Sequence, residues 1–422
     1  MLDIRYIREH LEEVKANTAR RRVTLDFDEL IALDDRRLAA LQQVEVLRRE
    51  RNEIAEKMKS ATAEERPAFI ERGKVVKQLI SEGEAELEAV TPTCQAILLQ
   101  VPNMTHPSVP DGATDEENPE IARFGEIPTF SFTPKPHTEI GKDRDLLDFE
   151  RGTKVAGAKS YFIKGKLALL EQALVSWTLK ELVAEGFTPM ITPDLAKDEV
   201  LLGTGFNPRG PEAQIYSIEG TDTSLIATAE IPLGGYYKDE IIDEDQLPIK
   251  FVGVSHCFRR EAGTYGRESY GLYRVHQFTK VEMFVFATPS QSEAIHEELR
   301  RLEERIFTKL GVPFRVVDIC TGDLGGPAYR KYDLEAWMWG KGEGKGGWGE
   351  VTSASNCTDY QARRLNIRVR RKDGTLEFLH TLNGTAIALS RGLIAIMENF
   401  QQEDGSILVP EVLRPYTGFD RL

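Results

Sequence analysis

The chain has 422 residues, too many for one compact core, and its 41% hydrophobic and 29% charged content is that of an ordinary soluble protein, so two domains are expected. No apolar run reaches the roughly 18 residues of a bilayer span, and the charged opening MLDIRYIREH is unlike an export signal. The net charge of −14 has the wrong sign for nucleic acid, so any such partner must meet local basic surface.

Four scattered cysteines (Cys94, Cys257, Cys320 and Cys357) form no C-x-x-C pair. That fits a reducing cytoplasm and argues against structural zinc. Through Lys59 the chain carries 13 basic and 13 acidic residues, so the acidity lies in the remainder.

From about 28 to 100 the pattern predicts two long helices. Steps of three and four run through Leu30, Leu33, Arg37, Ala40, Val44, Leu47, Arg51, Ile54 and Met58. A second seam runs through Phe69, Gly73, Val76, Ile80, Gly83, Leu87, Val90, Cys94 and Ile97. A period of 3.5 is the coiled-coil signature. SATAEE between them reads as a turn, with Thr62 and Glu65 at capping-box spacing and Pro67 suited to an early helical turn. An antiparallel hairpin about residue 62 places Arg51 near Gly73 and Ala40 near Gly83. Helices of about 30 residues reach some 45 Å but bury only a thin seam. The pattern fits a dimerisation coiled coil and a reach-and-bind arm equally well.

The aperiodic, Pro- and acid-rich stretch 101–120 reads as a linker. Beyond it strands dominate, with helices at 165–185, 290–310 and about 385–401. That mixture predicts an α+β layer fold on an antiparallel sheet rather than a βαβ series. Gly342-Glu-Gly344-Lys-Gly346-Gly347 matches G-x-G-x-x-G literally but lacks the strand-turn-helix context, and reads as a connector.

The segment 251–286 reads as two antiparallel strands joined by a loop carrying Gly263, Gly266 and Gly271. Alternation puts Arg274, His276, Phe278, Lys280 and Glu282 on one face, and Val275, Val281, Met283 and Val285 on the other. Arg259 and Glu261 share a face on the first strand. A half-solvated sheet is the ordinary explanation of such alternation. Phe278 in the middle of the polar face, flanked by Arg259 and Arg274, favours instead a ligand with a flat ring and phosphates. Weaker clusters are Thr228 with Glu230, read as one strand face, and Glu350 with Ser353 and Asn356. In the last cluster Gly384 ends a strand and Arg391 sits about two turns into an apolar helix. A buried arginine there needs an anionic or hydrogen-bonding partner.

These segments together resemble class II aminoacyl-tRNA synthetases and, within that class, the serine–tRNA ligase family. EGFTPMITPDL, with Pro193, resembles the first class motif, which builds the dimer interface. FRREAGTYGRESYGLYRVHQFTKVEMF resembles the second and NGTAIALSR the third. The resemblance implies a tRNA-binding arm over 1–105, with its coiled-coil hairpin at 28–100, and a catalytic domain over 106–422. It implies a cytoplasmic homodimer that activates serine with ATP and Mg2+, without zinc, and charges tRNA(Ser) and also tRNA(Sec). Arg259 would hold the α-phosphate and serve catalysis with Arg391. Glu261 would take the adenine amino group, Phe278 and Arg391 would sandwich the ring, and Arg274 would hold the outer phosphate. Arg260, Val275, Val351 and Thr352 complete the implied ATP set, and Glu350 and Ser353 would carry Mg2+. Thr228, Ala229, Glu230 and Arg259 would hold the serine, with Glu282 and Thr385 reading its hydroxyl. The arm would use a few arginines, Arg48, Arg49 and Arg51 among them.

Two departures stand out. Ser269-Tyr270-Gly271 replaces Thr-Arg-Gly, which many relatives carry, and Ala386 and Ser390 stand where glycine is frequent. Glu350 and Ser353, three apart, would point to opposite faces of a regular strand, so a shared ion requires a bulge.

Overall fold

A computed structural model describes residues 1–207, 215–261 and 271–422. Gly263, Gly266, Ser269 and Tyr270 lie outside the described residues. The chain divides into two compact units, Met1–Met104 and Thr105–Leu422.

In the first unit two short helices, Ile4–Glu9 and Leu11–Arg20, precede α1 (Phe27–Ser60) and α2 (Arg66–Gln100). The Asp26 carboxylate accepts the Glu29 N–H and so caps α1. Both seams pack as their period requires: Leu30, Ala40, Val44 and Leu47 of α1 and Val76, Ile80, Gly83, Val90 and Cys94 of α2 are buried. At the turn the Glu65 carboxylate accepts the Thr62 N–H and hydroxyl, each at 2.9 Å. Pro67 stands in the first turn of α2, where its missing N–H costs nothing.

The pairing departs from expectation toward the tip. Gly83 lies against Val44, whose Cγ2 would be 2.6 Å from an added Cβ, with the Ala40 carbonyl oxygen at 3.9 Å. Gly73 faces open space, and Arg51 is exposed instead of covering it. A lone charged head at the thin end of a hairpin stays in water. Arg36–Glu86 and Arg48–Glu84 pairs cross the hairpin at 2.8 and 2.7 Å. The base is a small core built on Ile7, Val14, Phe27, Leu30, Cys94 and Leu98.

The second unit is organised by an eight-stranded sheet. Its strands are β1 (Glu120–Phe124), β2 (Thr188–Ile191), β3 (Ile249–Phe258), β4 (Gln277–Ala287), β5 (Phe314–Asp318), β6 (Arg330–Met338), β7 (Gly347–Asn356) and β8 (His380–Ala388). They lie in the order β1-β5-β6-β7-β8-β4-β3-β2. Every pairing is antiparallel except that of the edge strand β2 with β3. The helices used below are α3 (Gly165–Val183), the single turn α4 (Glu230–Gly234), α5 (Ser292–Leu310) and α6 (Leu389–Asn399). The last helix starts later than expected because β8 runs on through Gly384. That glycine sits inside the strand, where an added Cβ would meet Met283 Cε at 3.0 Å and Glu303 Oε1 at 3.1 Å. Close packing on α5, not a strand end, requires glycine there.

Alternation along β4 separates two cores. Val281, Met283 and Val285 join Leu299, Leu302 and Ile306 of α5 in the larger one. Phe284 and Phe286 meet Ala229, Leu233, Phe251 and Val369 in the smaller. The stretch read as a linker is largely hydrogen-bonded to this unit. The His106 N–H donates to Tyr329 O at 2.9 Å, and the Gly322 N–H donates to Gly112 O at 2.9 Å.

Candidate active site

Two β-bulges shape the face of the sheet opposite α5. On β7, Leu334 pairs with Thr352 but Glu335 pairs with Glu350, leaving Val351 as an extra residue. On β8, Thr385 pairs with Glu282 and Ile387 with Val281, leaving Ala386 extra. Residues directly opposite in a ladder share a face. Ser353 lies opposite Asp333 and Glu350 opposite Glu335, and Asp333 and Glu335 are two apart. Glu350 and Ser353 therefore share a face, as a common ion requires. The Ser353 hydroxyl hydrogen-bonds Asp333.

One cleft is lined by Arg259, Glu261, Tyr273, Val275, Phe278, Lys280, and, from β7, β8 and α6, Glu350, Thr385 and Arg391. The strand carrying Phe278 begins only at Gln277. Arg274, Val275 and His276 precede it, so the alternation read back to Arg274 does not extend that far. Val275 is buried yet lines the cleft. Arg274 lines a neighbouring cleft with Phe149 and Lys159, and its Nη1 lies 3.2 Å from Glu261 Oε2. Arg259 and Glu261 likewise lie past the end of β3, with Glu261 at φ +46, a conformation a glutamate adopts only when its surroundings hold it. The Arg259 guanidinium lies over the Phe278 ring, 5.2 Å from its centre.

Arg391 is the third residue of α6, in the first turn rather than two turns in. Its Nη1 donates to Glu350 O at 2.9 Å and lies 3.2 Å from Glu350 Oε2. Its Nε donates to Tyr273 O at 3.3 Å, and its guanidinium stacks 4.4 Å from the Tyr273 ring centre. Burial would raise the Glu350 carboxyl, but Arg391, then Lys331 and Arg259, hold it well below the usual range. Burial, reinforced by Glu350, raises Asp333, which the Lys331 ammonium 3.2 Å away moderates.

Deeper in, the polar face of β4 is buried rather than solvated. Lys280 and Glu282 are 6% and 1% exposed and form an ion pair. Lys280 Nζ donates to Thr385 Oγ1 at 3.2 Å, and that hydroxyl donates to Glu282 Oε2 at 3.2 Å. Glu230 faces this group from α4. Thr228 and Glu230 therefore do not share a strand face: the Thr228 hydroxyl accepts the Glu230 N–H at 3.2 Å at the start of the turn. Gly253 permits that approach, since a Cβ there would be 3.1 Å from Ala229 Cβ. Gln361 Nε2 and Asn383 Nδ2 donate to Glu230 Oε1 at 2.7 and 3.0 Å. Burial, then the nearby Glu282, pushes the Glu230 carboxyl up to about 7.

Some expected residues turn away. Arg260 is exposed and outside the cleft. The Val351 side chain belongs to the larger core, and the Thr352 hydroxyl donates to Glu303 Oε2 at 2.8 Å on α5, so these two can offer the cleft only main chain. Ala229 is fully buried in the smaller core. Sequence reading assigned no role to Lys280, Tyr273, Asn383 or Gln361. Lys280 was detectable by its place between Phe278 and Glu282, and Asn383 by its spacing from Thr385. Gln361 gave no local signal. An aromatic plate with arginines, beside a deeper pocket of two carboxylates, suits a base-bearing phosphate ester and a small ammonium compound.

Two family models match: the seryl-tRNA synthetase N-terminal domain over residues 1–105, and the tRNA synthetase class II core domain (G, H, P, S and T) over residues 216–400. The chain is 55% identical to the serine–tRNA ligase of Treponema denticola, covering 100% of both chains. It is also 55% identical to that of Rubrobacter xylanophilus, over 99% of this chain and 98% of the relative. Among solved structures it is similar to the seryl-tRNA synthetase of Pyrococcus horikoshii complexed with ATP. That match has a TM-score of 0.88 and 40% identity, over 100% of this chain and 99% of the other.

Proposed function

The chain belongs to the serine–tRNA ligase family of class II aminoacyl-tRNA synthetases, and from that membership we propose how its residues divide the reaction. It activates L-serine with ATP and transfers the seryl group to tRNA. The observation that carries the residue assignment is the buried Lys280–Thr385–Glu282 chain facing Glu230, next to the Arg259–Phe278 plate.

In the first step a serine carboxylate oxygen attacks the α-phosphorus in line and pyrophosphate departs. In the second a ribose hydroxyl at the tRNA 3′ end attacks the seryl carbonyl and AMP departs. Such chemistry asks the protein mainly to position reactants and neutralise charge. Arg259 holds the α-phosphate, and Phe278 and Arg391 bracket the adenine, whose amino group Glu261 accepts. Arg274 takes the outer phosphate, with main chain from Val275, Val351 and Thr352, which line the cleft, completing the wall. Glu230 and Thr228, with the backbone at Ala229, receive the serine ammonium. Glu282 and Thr385 meet the hydroxyl, so alanine would leave buried polar groups unpaired.

The shared face of Glu350 and Ser353 fits Mg2+, a hard ion suited to carboxylate, hydroxyl and phosphate oxygens. When bound there it would neutralise phosphate charge. The exposed apolar residues Leu169 of α3, Ile191 of β2, 92% exposed, and Leu195 support a homodimer through the first-motif region. The 1–105 arm binds tRNA(Ser), and tRNA(Sec) is a second substrate, while 106–422 does the chemistry in the cytoplasm. Arg49 and Arg51 are exposed for such contacts, whereas Arg48 is tied to Glu84.

Pyrophosphate exchange with each standard amino acid, followed by tRNA charging, tests this reading. Serine alone should support exchange and tRNA(Ser) should be charged. Exchange with another amino acid would overturn the specificity, and exchange without charging would point to an acceptor other than tRNA.

A further inference from the structure

Gly271, Leu272, Tyr273 and Arg274 lead into β4, and the same helix holds this segment at two points. Near its end Arg391 of α6 donates to Tyr273 O and stacks on the Tyr273 ring. At its start the buried Leu272 N–H donates to His137 Nε2 at 3.1 Å. That bond makes Nε2 the bare ring nitrogen, so Nδ1 carries the proton. Nδ1 lies 2.7 Å from Glu398 Oε1, which also accepts the His137 N–H at 2.8 Å. Glu398 Oε2 accepts the Gly340 N–H at 2.8 Å. Glu398 lies on α6, seven residues and about two turns beyond Arg391.

The fit is close. Gly271 has φ +74, and an added Cβ would stand 2.2 Å from His137 Nε2. The His137 and Glu398 side chains are 8% and 0% exposed. A buried histidine is ordinarily explained by its own hydrogen bonds. Here both ring nitrogens are used to tie one backbone N–H beside the cleft to the helix that carries Arg391.

We propose that His137 is a positioning residue for the nucleotide: it sets the segment 271–274 against α6, so that Tyr273 stays stacked under Arg391 and Arg274 is presented beside the cleft. The proposal rests on the assignment of Arg391 and Arg274 to ATP made above. No group of His137 touches substrate. Its effect is therefore expected in ATP affinity and not in serine affinity, because its hydrogen bonds run to Leu272 and Glu398 and not to Glu230, Glu282 or Thr385.

The test is serine-dependent pyrophosphate exchange with full-length variants, reading the KM of each substrate alongside Tm. His137→Asn keeps a donor toward Glu398 but places nothing at Nε2. It should raise the ATP KM about tenfold, the worth of one buried hydrogen bond, and leave the serine KM within about twofold. His137→Gln, whose longer amide can accept the Leu272 N–H, should restore most of the ATP KM. If His137→Asn does not fold, Gly271→Ala attacks the same contact and should show the same selective rise. An unchanged ATP KM, or equal rises for ATP and serine, would overturn the proposal. Arg391→Ala separates the two layers: if it leaves the ATP KM unaltered, the site assignment fails, whereas a rise there without one in His137→Asn sinks only the brace.

Discussion

The arm and the sheet face solve opposite problems with opposite kinds of sequence. In the arm every seam contact joins residues whose places follow from one repeating step, and two 2.9 Å bonds between Thr62 and Glu65 close the turn. In the site, Glu230, Lys280, Glu350, Thr385 and Arg391 come from five elements, and their contacts span 105 positions in the Lys280–Thr385 bond and 153 in the Asn383–Glu230 bond. A thin seam tolerates local error because each layer packs only on its neighbours. A converging face does not, because one misplaced strand removes several partners at once.

The largest contrast comes from shortening the arm. Gly83 and Ala40 are neighbours, so residues 41–82 can be replaced by a short glycine-rich turn while the base core remains. tRNA charging should fall to background, while pyrophosphate exchange survives. Loss of both would break the separation of roles. On the other side, Arg259→Ala should lower exchange by about 10²–10³-fold, the cost of one preorganised cation at a developing charge, with tRNA affinity in filter binding unchanged.

Thr385→Val strips the hydroxyl shared by Lys280 and Glu282. Its expected consequence is a fall of about 10- to 100-fold in the preference for serine over alanine, read as the ratio of kcat/KM values. Glu230 offers a subtler handle. Its carboxyl is raised from 4.5 to about 7 by burial and Glu282, so the folded state holds a proton that the unfolded chain has lost. Stability should therefore fall as pH rises from 4.5 to 7 and level off above, and thermal melts of Glu230→Gln should lose this slope. In the wild type the serine KM should improve over the same rise, as Glu230 gains the charge that an ammonium needs.

The smallest effect belongs to the arm. Gly83→Ala would drive a methyl to 2.6 Å from Val44 Cγ2 and should destabilise that unit by about 1–3 kcal/mol. Circular dichroism melts can check this, with exchange unaltered.

Much of this was legible in the chain itself. Period 3.5 placed both arm helices and most of their buried residues, since a helix seam is a one-dimensional pattern, but it did not foresee that Arg51 is exposed and Gly73 faces open space. Period 2 put Phe278, Lys280 and Glu282 on one face, and the requirement for a bulge between Glu350 and Ser353 was met by the extra Val351. Alternation misled where the strand had not begun: Arg274 and Val275 precede Gln277, and Thr228 and Glu230 sit at a helical turn.

Sequence by itself therefore determined the arm, the strand pair and a polar face suited to a flat ring and phosphates, because those depend on local period, while the division of the site among its residues came from the resemblance of the motifs. Only the tertiary structure decided that Lys280 closes the chain between Thr385 and Glu282, that Arg391 rests on Tyr273, and that Gln361 braces Glu230. Each of those contacts joins segments far apart in sequence. Burial then sets their strength, and no local pattern encodes which distant side chain will meet a buried charge.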